Sequence, residues 1–478
     1  MSQGKNSVGA VLLAVGLSTA AIVAGPVQAQ DSEAVRTKQY DDGGVYVGTF
    51  KDGLQHGTGT YQLPSGYEYT GEFFEGEIRG KGVARFPNGS VYEGQFAAGK
   101  PNGYGKITFA DGSTFEGDWV DGKINGSGVV VYANGVRYQG GFKNALHHGK
   151  GRMETPSGYV YDGDWVAGVK EGFGKSIYPD GSVYEGQMKG DQRNGQGVLT
   201  TPDGLRYEGQ WLNGQMHGVG TLTQSNGDVY TGAFVNGQRQ GTGKVVYANG
   251  DIYEGEFADD RRHGRGIFTG TDGYVYDGDW VAGVIEGEGK VKYPDGSIYV
   301  GQFRGGLADG KGKIVYPNGN SYEGDWKDGV IEGFGKAVYV NGPTYEGEFK
   351  DALYDGQGKL VYPDGYTYVG GWKQGKRHGQ GETTFADGTV YEGGFVDGLR
   401  EGQGTLTMPD GFTYTGSWVA GLFDGPGVAK YPNGDVYEGM FKEGKRSGEG
   451  TVRYASGEEA AGTWVNGVLT EEADGGSN

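Results

Sequence analysis

One spacing constrains this chain more than any other feature. A tyrosine followed two residues later by glycine stands at Tyr46. It returns every 23 residues, without insertion or deletion, through Tyr69 and Tyr92 and on to Tyr437. Phe115 replaces the tyrosine once, and Ala460 opens the nineteenth and last copy. Self-similarity at a fixed period of this length means that one small supersecondary unit is stacked on itself. With the tyrosine as position 0, glycine recurs at positions 2, 7, 11, 13 and 20, and these columns hold nearly all of the 102 glycines. Glycine is therefore positional here. The strict three-residue period of collagen is absent, and 13% aromatic residues, 34 of them within the Tyr count alone, are more than a disordered polymer carries.

Within a copy, VYEGQF (residues 91–96) alternates with period two and is rich in β-formers, which predicts a strand. Positions 0, 2 and 4 share one face, and the glycine leaves room for a ring to lie flat across the backbone. Position 4 is aromatic in all copies but one. It holds all eight tryptophans and alternates Phe257, Trp280, Phe303, Trp326 and so on to Trp464, so a 46-residue pair reads as the duplicated unit. Met188 is the exception, and with Asp191 nearby it marks residues 184–206 as the place for a local irregularity. A turn around positions 6–10 leads into a second strand, Gly103 to Phe109. An Ala-Asp-Gly or Pro-Asn-Gly turn closes the copy. Each copy is thus a β-hairpin. One hairpin alone is marginal in water, whereas stacked hairpins gain stability from each neighbour. The expected fold is all-β: an elongated single-layer antiparallel sheet of about nineteen stacked 23-residue hairpins, a solenoid-like rod knitted by rings.

The pattern Y-E-G-x-[FW]-x-x-G-x-x-[HNE]-G-x-G, as in residues 207–220 (YEGQWLNGQMHGVG) and 368–381 (YVGGWKQGKRHGQG), closely resembles the MORN repeat. The resemblance spans about residues 44–467. It implies a twisted single-layer sheet of hairpins and a scaffolding role: protein–protein contacts, self-association and, in some members, attachment near membranes or binding of phospholipid. Where such repeats accompany an enzyme, the catalytic domain is a separate segment, and none is recognisable here. Ala145, Asp191, Asp260 and Ala352 replace the glycine of position 7, which puts local turn geometry in question rather than the fold.

The ends and the charge set further expectations. Lys5, the apolar run 8–25, and Val27 and Ala29 at the −3 and −1 positions predict a signal peptide over 1–29, cleaved after Ala29. An uncleaved N-terminal anchor is the rival reading. Residues 30–43 then form a linker, 44–469 the repeat array and 470–478 a disordered acidic tail, which places the chain in the periplasm or envelope of a bacterium. A net charge of −19 argues against nucleic acid as a partner. The absence of cysteine excludes disulfides, zinc–thiolate sites and cysteine nucleophiles.

Residue types that invite chemistry follow the template. Five of six histidines, His56, His148, His217, His263 and His378, occupy position 10, where other copies hold Asn102, Glu171 or Asp309; this marks them as hydrogen-bonding turn residues rather than metal ligands. Only His147 lies off that column. Carboxylates at position 1 and lysines at position 14 predict cross-strand pairs on a solvated face, with calcium as the alternative. The aromatic ladder reads as packing, or as an open groove for glycans. No nucleophile–base pair stands outside the template, so no catalytic residue, metal site or cofactor is expected. Variation concentrates at positions 8 and 9, expected at the hairpin tips. Val284-Ile285, Val330-Ile331 and Leu422-Phe423 are apolar, while Arg261-Arg262, Lys376-Arg377 and Lys445-Arg446 are basic. Varied residues on a constant frame make a candidate interaction surface. The expected function is a non-catalytic scaffold contacting other proteins or its own copies. The alternative is a binder of cell-wall glycan or phospholipid surfaces through the aromatic groove.

Overall fold

The computed structural model describes residues 34–472. The expected signal peptide, 1–29, lies outside them, as do the last residues of the expected acidic tail. The chain divides into two units, ending and starting at Gly241 and Thr242, and strand Gln238–Val246 crosses the division. Both are all-β, built of hairpins in which consecutive strands pair antiparallel.

The repeat starting at Tyr92 shows the construction. A seven-residue strand, Val91–Ala97, turns into a nine-residue strand, Lys100–Thr108. Tyr92 pairs with Ile107 and Gly94 with Gly105, but Phe96 pairs with Pro101, so residues 102–104 bulge opposite Gln95. Across to the next repeat, Gly103 faces Trp119 and Gly105 faces Gly117. Repeats in both units follow the same register.

The turn between the two strands has only two residues, at positions 6 and 7. Both take positive φ, as Ala98 (48°) and Gly99 (74°) do, which is the type I′ geometry that suits strand twist. Ala145, Asp191, Asp260 and Ala352 keep it, with φ of 61°, 65°, 66° and 59°. The local turn geometry therefore survives loss of the glycine, at roughly 1–2 kcal/mol per left-handed non-glycine residue. At the other end of the hairpin, Phe86 N donates to Ser90 O (2.8 Å), Gly89 N donates to Phe86 O (2.9 Å), and Asn88 Oδ1 accepts from Ser90 N (3.0 Å). Asn-Gly makes that turn as its sequence predicts.

The core is the ladder of rings. In the second unit each position-0 tyrosine touches the position-4 ring of its own repeat and that of the next, edge to face. The run is unbroken from Tyr253 to Trp464, with centroids 5.0–5.5 Å apart. Among the described residues of the first unit the ladder breaks at Met188, which brings no ring to Tyr161 or Tyr184. Each tyrosine ring lies flat over the glycine pair at positions 2 and 13 of its own repeat. A Cβ on Gly105 would overlap Tyr92 Oη and Cζ, and one on Gly94 would strike the Cα of Gly105. The tyrosine hydroxyl donates to the carbonyl at position 3, as Tyr92 does to Gln95 (3.0 Å). Every tryptophan indole donates to the position-13 carbonyl of the preceding repeat, for example Trp280 to Gly266 and Trp418 to Gly404, both 3.1 Å.

Two end segments differ from expectation. Residues Arg36–Gln39, assigned to a linker, form a strand paired with Val45–Gly48, a half-repeat that covers the first hairpin. At the other end, Val468–Glu472 folds back on Gly462–Val465, so the nineteenth repeat is a hairpin although Ala460 brings no ring and the tail was expected from residue 470.

Candidate interaction surface on the aromatic face

The two sheet faces carry different chemistry. On the outer face, position-14 lysines pair with the position-1 carboxylates of the next repeat, as in Lys313–Glu323 (3.0 Å) and Lys336–Glu346 (3.6 Å). All four groups are about half exposed, so each pair contributes little. Among the described residues no three His, Asp or Glu side chains converge as metal ligands, and no helix is long and apolar enough to cross a membrane.

The varied residues do not sit at tips. Because the turn occupies only positions 6 and 7, positions 8 and 9 are the first two residues of the second strand, and they point to opposite faces. Val284, Val330, Leu422, Arg261 and Lys376, at position 8, are exposed on the outer side. Ile285, Ile331, Phe423, Arg262 and Arg377, at position 9, are half-buried and lie over the ladder. Position 9 pairs with the position-4 ring of its own hairpin and covers the position-0 tyrosine, whatever its residue type. Tyr354 stacks on Tyr345 with centroids 3.7 Å apart, and Phe423 stacks on Tyr414 at 3.8 Å. Arg262 lies 4.1 Å over Trp280, and Arg400 lies 4.5 Å over Trp418. A missed signal pointed here. Apart from Pro101, position 9 holds none of the Gly, Pro, Asp, Asn or Ser that a turn recruits, and it has the same parity as positions 13 and 15.

In the first unit this layer is deeper. His147 is buried against Tyr138, stacked at 3.6 Å, and its Nε2 lies 2.9 Å from Tyr132 Oη. Burial pushes the imidazole down to about 4, so it is neutral at physiological pH. Lys170, also buried, donates from Nζ to Tyr159 Oη (2.9 Å) and lies over the Tyr159 and Tyr161 rings.

Position 10 reaches the next repeat. Glu401 accepts from Ala420 N (2.8 Å) and Asp355 from Gln374 N (3.0 Å), and His148 and His263 accept more loosely from Ala167 N and Ala282 N (3.5 Å). The Nδ1 atoms of His56, His217 and His378 are buried without a partner. Position-9 arginines add a second tie. Arg377 Nη2 donates to Gly398 O (2.7 Å) while Gly398 N donates to Arg377 O (2.9 Å).

In the second unit the layer opens into clefts. One of about 810 Å³ is lined by Tyr339, Tyr354, Tyr366, Trp372 and Arg377. Another, of about 360 Å³, is lined by Phe385, Arg400, Met408, Trp418 and Phe423. The first cleft mixes rings with Asp364, Lys376 and Arg377, and the second is mostly apolar around Arg400; concave sites with apolar walls and a few placed polar groups are the usual form of a recognition site.

A constant ring ladder under a varied layer defines a hairpin-repeat protein whose surface is edited copy by copy. The MORN repeat model matches eighteen consecutive stretches, from residues 46–66 to 437–459. The chain belongs to the MORN repeat family. The hairpin opened by Ala460 lies beyond the last matched stretch. No curated protein matches the chain. Among solved structures, it is similar to the TCP domain of Drosophila melanogaster SAS-4, in complex with a proline-rich motif of Ana2, at 15% identity, covering 42% of this chain and 90% of that one with a TM-score of 0.21. The TCP10 domain of Danio rerio CPAP matches at 14% identity over 46% and 93%, also at 0.21. A streptogramin B lyase matches at 12% over 63% and 92%, at 0.11.

Proposed function

We propose that this protein is an exported, non-catalytic scaffold of the bacterial cell envelope that holds protein partners, or further copies of itself, against its aromatic face. The observation that carries this reading is the position-9 layer. The ladder beneath it is nearly invariant, while the layer changes among Ile, Arg, Tyr, Phe and Met from one repeat to the next. Packing alone asks for uniform residues in a uniform frame; a varied layer left partly open to solvent in the second unit suits recognition.

The test is photo-crosslinking in the native host, with a benzophenone side chain at Ile331 or, as control, at the outer-face Lys313. Discrete protein adducts from position 331 and none from 313 support the reading. Adducts only from 313, or none from either, overturn it. Fractionation and sequencing of the mature N-terminus test export and cleavage after Ala29. Half-exposed tyrosines such as Tyr339 and Tyr362 favour a second reading, stacking on cell-wall glycan. Sedimentation of the full chain with purified cell wall, in the absence of protein adducts, would select it.

A further inference from the structure

We infer that the aromatic face of the second unit, from Tyr354 to Arg446, docks a polyproline II segment of a protein partner bearing carboxylates three residues apart. This rests on the scaffold reading above and names the class of partner.

The first argument is pitch. Equivalent positions in consecutive repeats are two strand spacings apart, about 9.6 Å. A polyproline II helix has three residues per turn at ~3.1 Å each, about 9.3 Å per turn. A segment of that form lying across the strands presents an equivalent side chain to every repeat. An extended strand, at ~6.7 Å between same-face residues, does not keep step.

The second argument is charge. Position 9 reads Tyr354, Arg377, Arg400, Phe423, Arg446 in five successive repeats. None of the three arginines forms an ion pair among the described residues, although lysines and arginines of the outer face do. Arg377 spends two donors on Tyr366 Oη (2.5 Å) and Gly398 O. Arg400 and Arg446 lie over Trp418 and Trp464, at 4.5 and 4.7 Å, and no acceptor among the described residues takes their side-chain donors. Burial, together with the neighbouring Arg377 charge, lowers the Arg400 pKa, so these cations repel each other without a counter-charge. Carboxylates at residues i and i+3 of the ligand supply it, one to Arg377 and one to Arg400.

The third argument is the lining. A polyproline II backbone has no internal hydrogen bonds and needs donors for its carbonyls. Tyr366 accepts from Arg377 and so keeps its own O–H to give. Leu406, Met408 and Phe385 wall the cleft beside Arg400 with apolar groups that suit proline rings rather than sugar hydroxyls.

Fluorescence anisotropy of the full chain tests this with labelled peptides at physiological salt. The probes are four tandem Glu-Pro-Pro triplets, the same peptide with Gln for Glu, and an equally charged Gly/Ser peptide with Glu at every second residue. Losing a charged hydrogen-bonded pair is expected to weaken binding about tenfold or more, both for the Gln peptide and for Arg400→Gln. Out-of-step spacing is expected to do the same. Arg400→Lys should recover part of the affinity, Lys313→Gln should change nothing, and thermal melts should show every variant folded. Equal binding of all acidic probes would reduce the site to nonspecific charge attraction. Failure of the Glu-Pro-Pro probe, or indifference to Arg400→Gln, also overturns the inference. Adducts at Ile331 alongside either failure would leave the scaffold reading standing.

Discussion

The ring-over-glycine contact makes a sharp prediction at Gly312. Its backbone suits alanine, since its φ is not in the left-handed region, and the three atoms a Cβ would meet first all belong to the Tyr299 ring. That ring is nearly fully buried. It is fixed edge to face by Phe303 at 5.1 Å and Trp326 at 5.2 Å, and by a hydroxyl bond to Gln302 O (3.0 Å). Gly312→Ala therefore cannot be accommodated by a small tilt; the ring must leave. The loss approaches that of truncating a buried aromatic, about 3–5 kcal/mol, less the ~0.4–1 kcal/mol that alanine returns through the unfolded chain. Once Tyr299 is replaced by serine, Gly312→Ala should cost almost nothing further. Gly301→Ala behaves differently, because its Cβ meets the backbone of Gly312 and Lys311 as well as the ring. Its cost should persist in the Tyr299→Ser background. Stability in a repeat array is a nearest-neighbour sum, so local hydrogen exchange in strands Ile298–Arg304 and Leu307–Val315 reads these energies better than a global melt. A Gly312→Ala cost below about 1 kcal/mol, or one unchanged by removing Tyr299, would refute the contact as the reason for the glycine.

Met188→Phe should restore two edge-to-face pairs, to Tyr161 and Tyr184, and slow exchange in both neighbouring repeats by about 1–2 kcal/mol; faster exchange would mean that the site has no room for a ring. Ala352→Gly should stabilise its hairpin by roughly 1 kcal/mol, since Ala352 is exposed and its φ of 59° disfavours a side chain. Burial pushes Tyr207, Tyr253, Tyr368, Tyr391 and Tyr414 up to about 12. Their folded pKa is raised above the unfolded value near 10, so the stability they hold is complete below pH 10 and drains as pH rises through 12. Tyrosinate absorbance and circular dichroism should therefore change together in that window, and tyrosines titrating near 10 with the sheet intact would contradict the burial.

The 23-residue period carried the hairpin, the glycine–ring packing and the alternation at position 4 openly, because a residue required in every copy repeats in sequence as it does in space. The candidate surface was harder to place. Ile285, Arg377 and Phe423 vary, and variation was expected at tips. The two-residue turn at positions such as Asp328 and Gly329 is shorter than the pattern of polar residues around it suggests. That put position 9 inside a strand and over the rings. The bulge of positions 10–12 could not be read either, since it follows from pairing Gly324 with Gly335 while Trp326 meets Ile331. Nor could the pairing of Arg36–Gln39, a half-repeat with no position-0 tyrosine to announce it.

The side-chain ties between repeats are also vectorial. Position-10 carboxylates and the guanidinium of Arg377 reach forward to the next turn, and every indole reaches back to the previous carbonyl. Trimming copies from one terminus therefore strands a different set of polar atoms than trimming from the other. Truncation series begun at opposite ends should fray unequally, which gives this otherwise monotonous polymer a head and a tail.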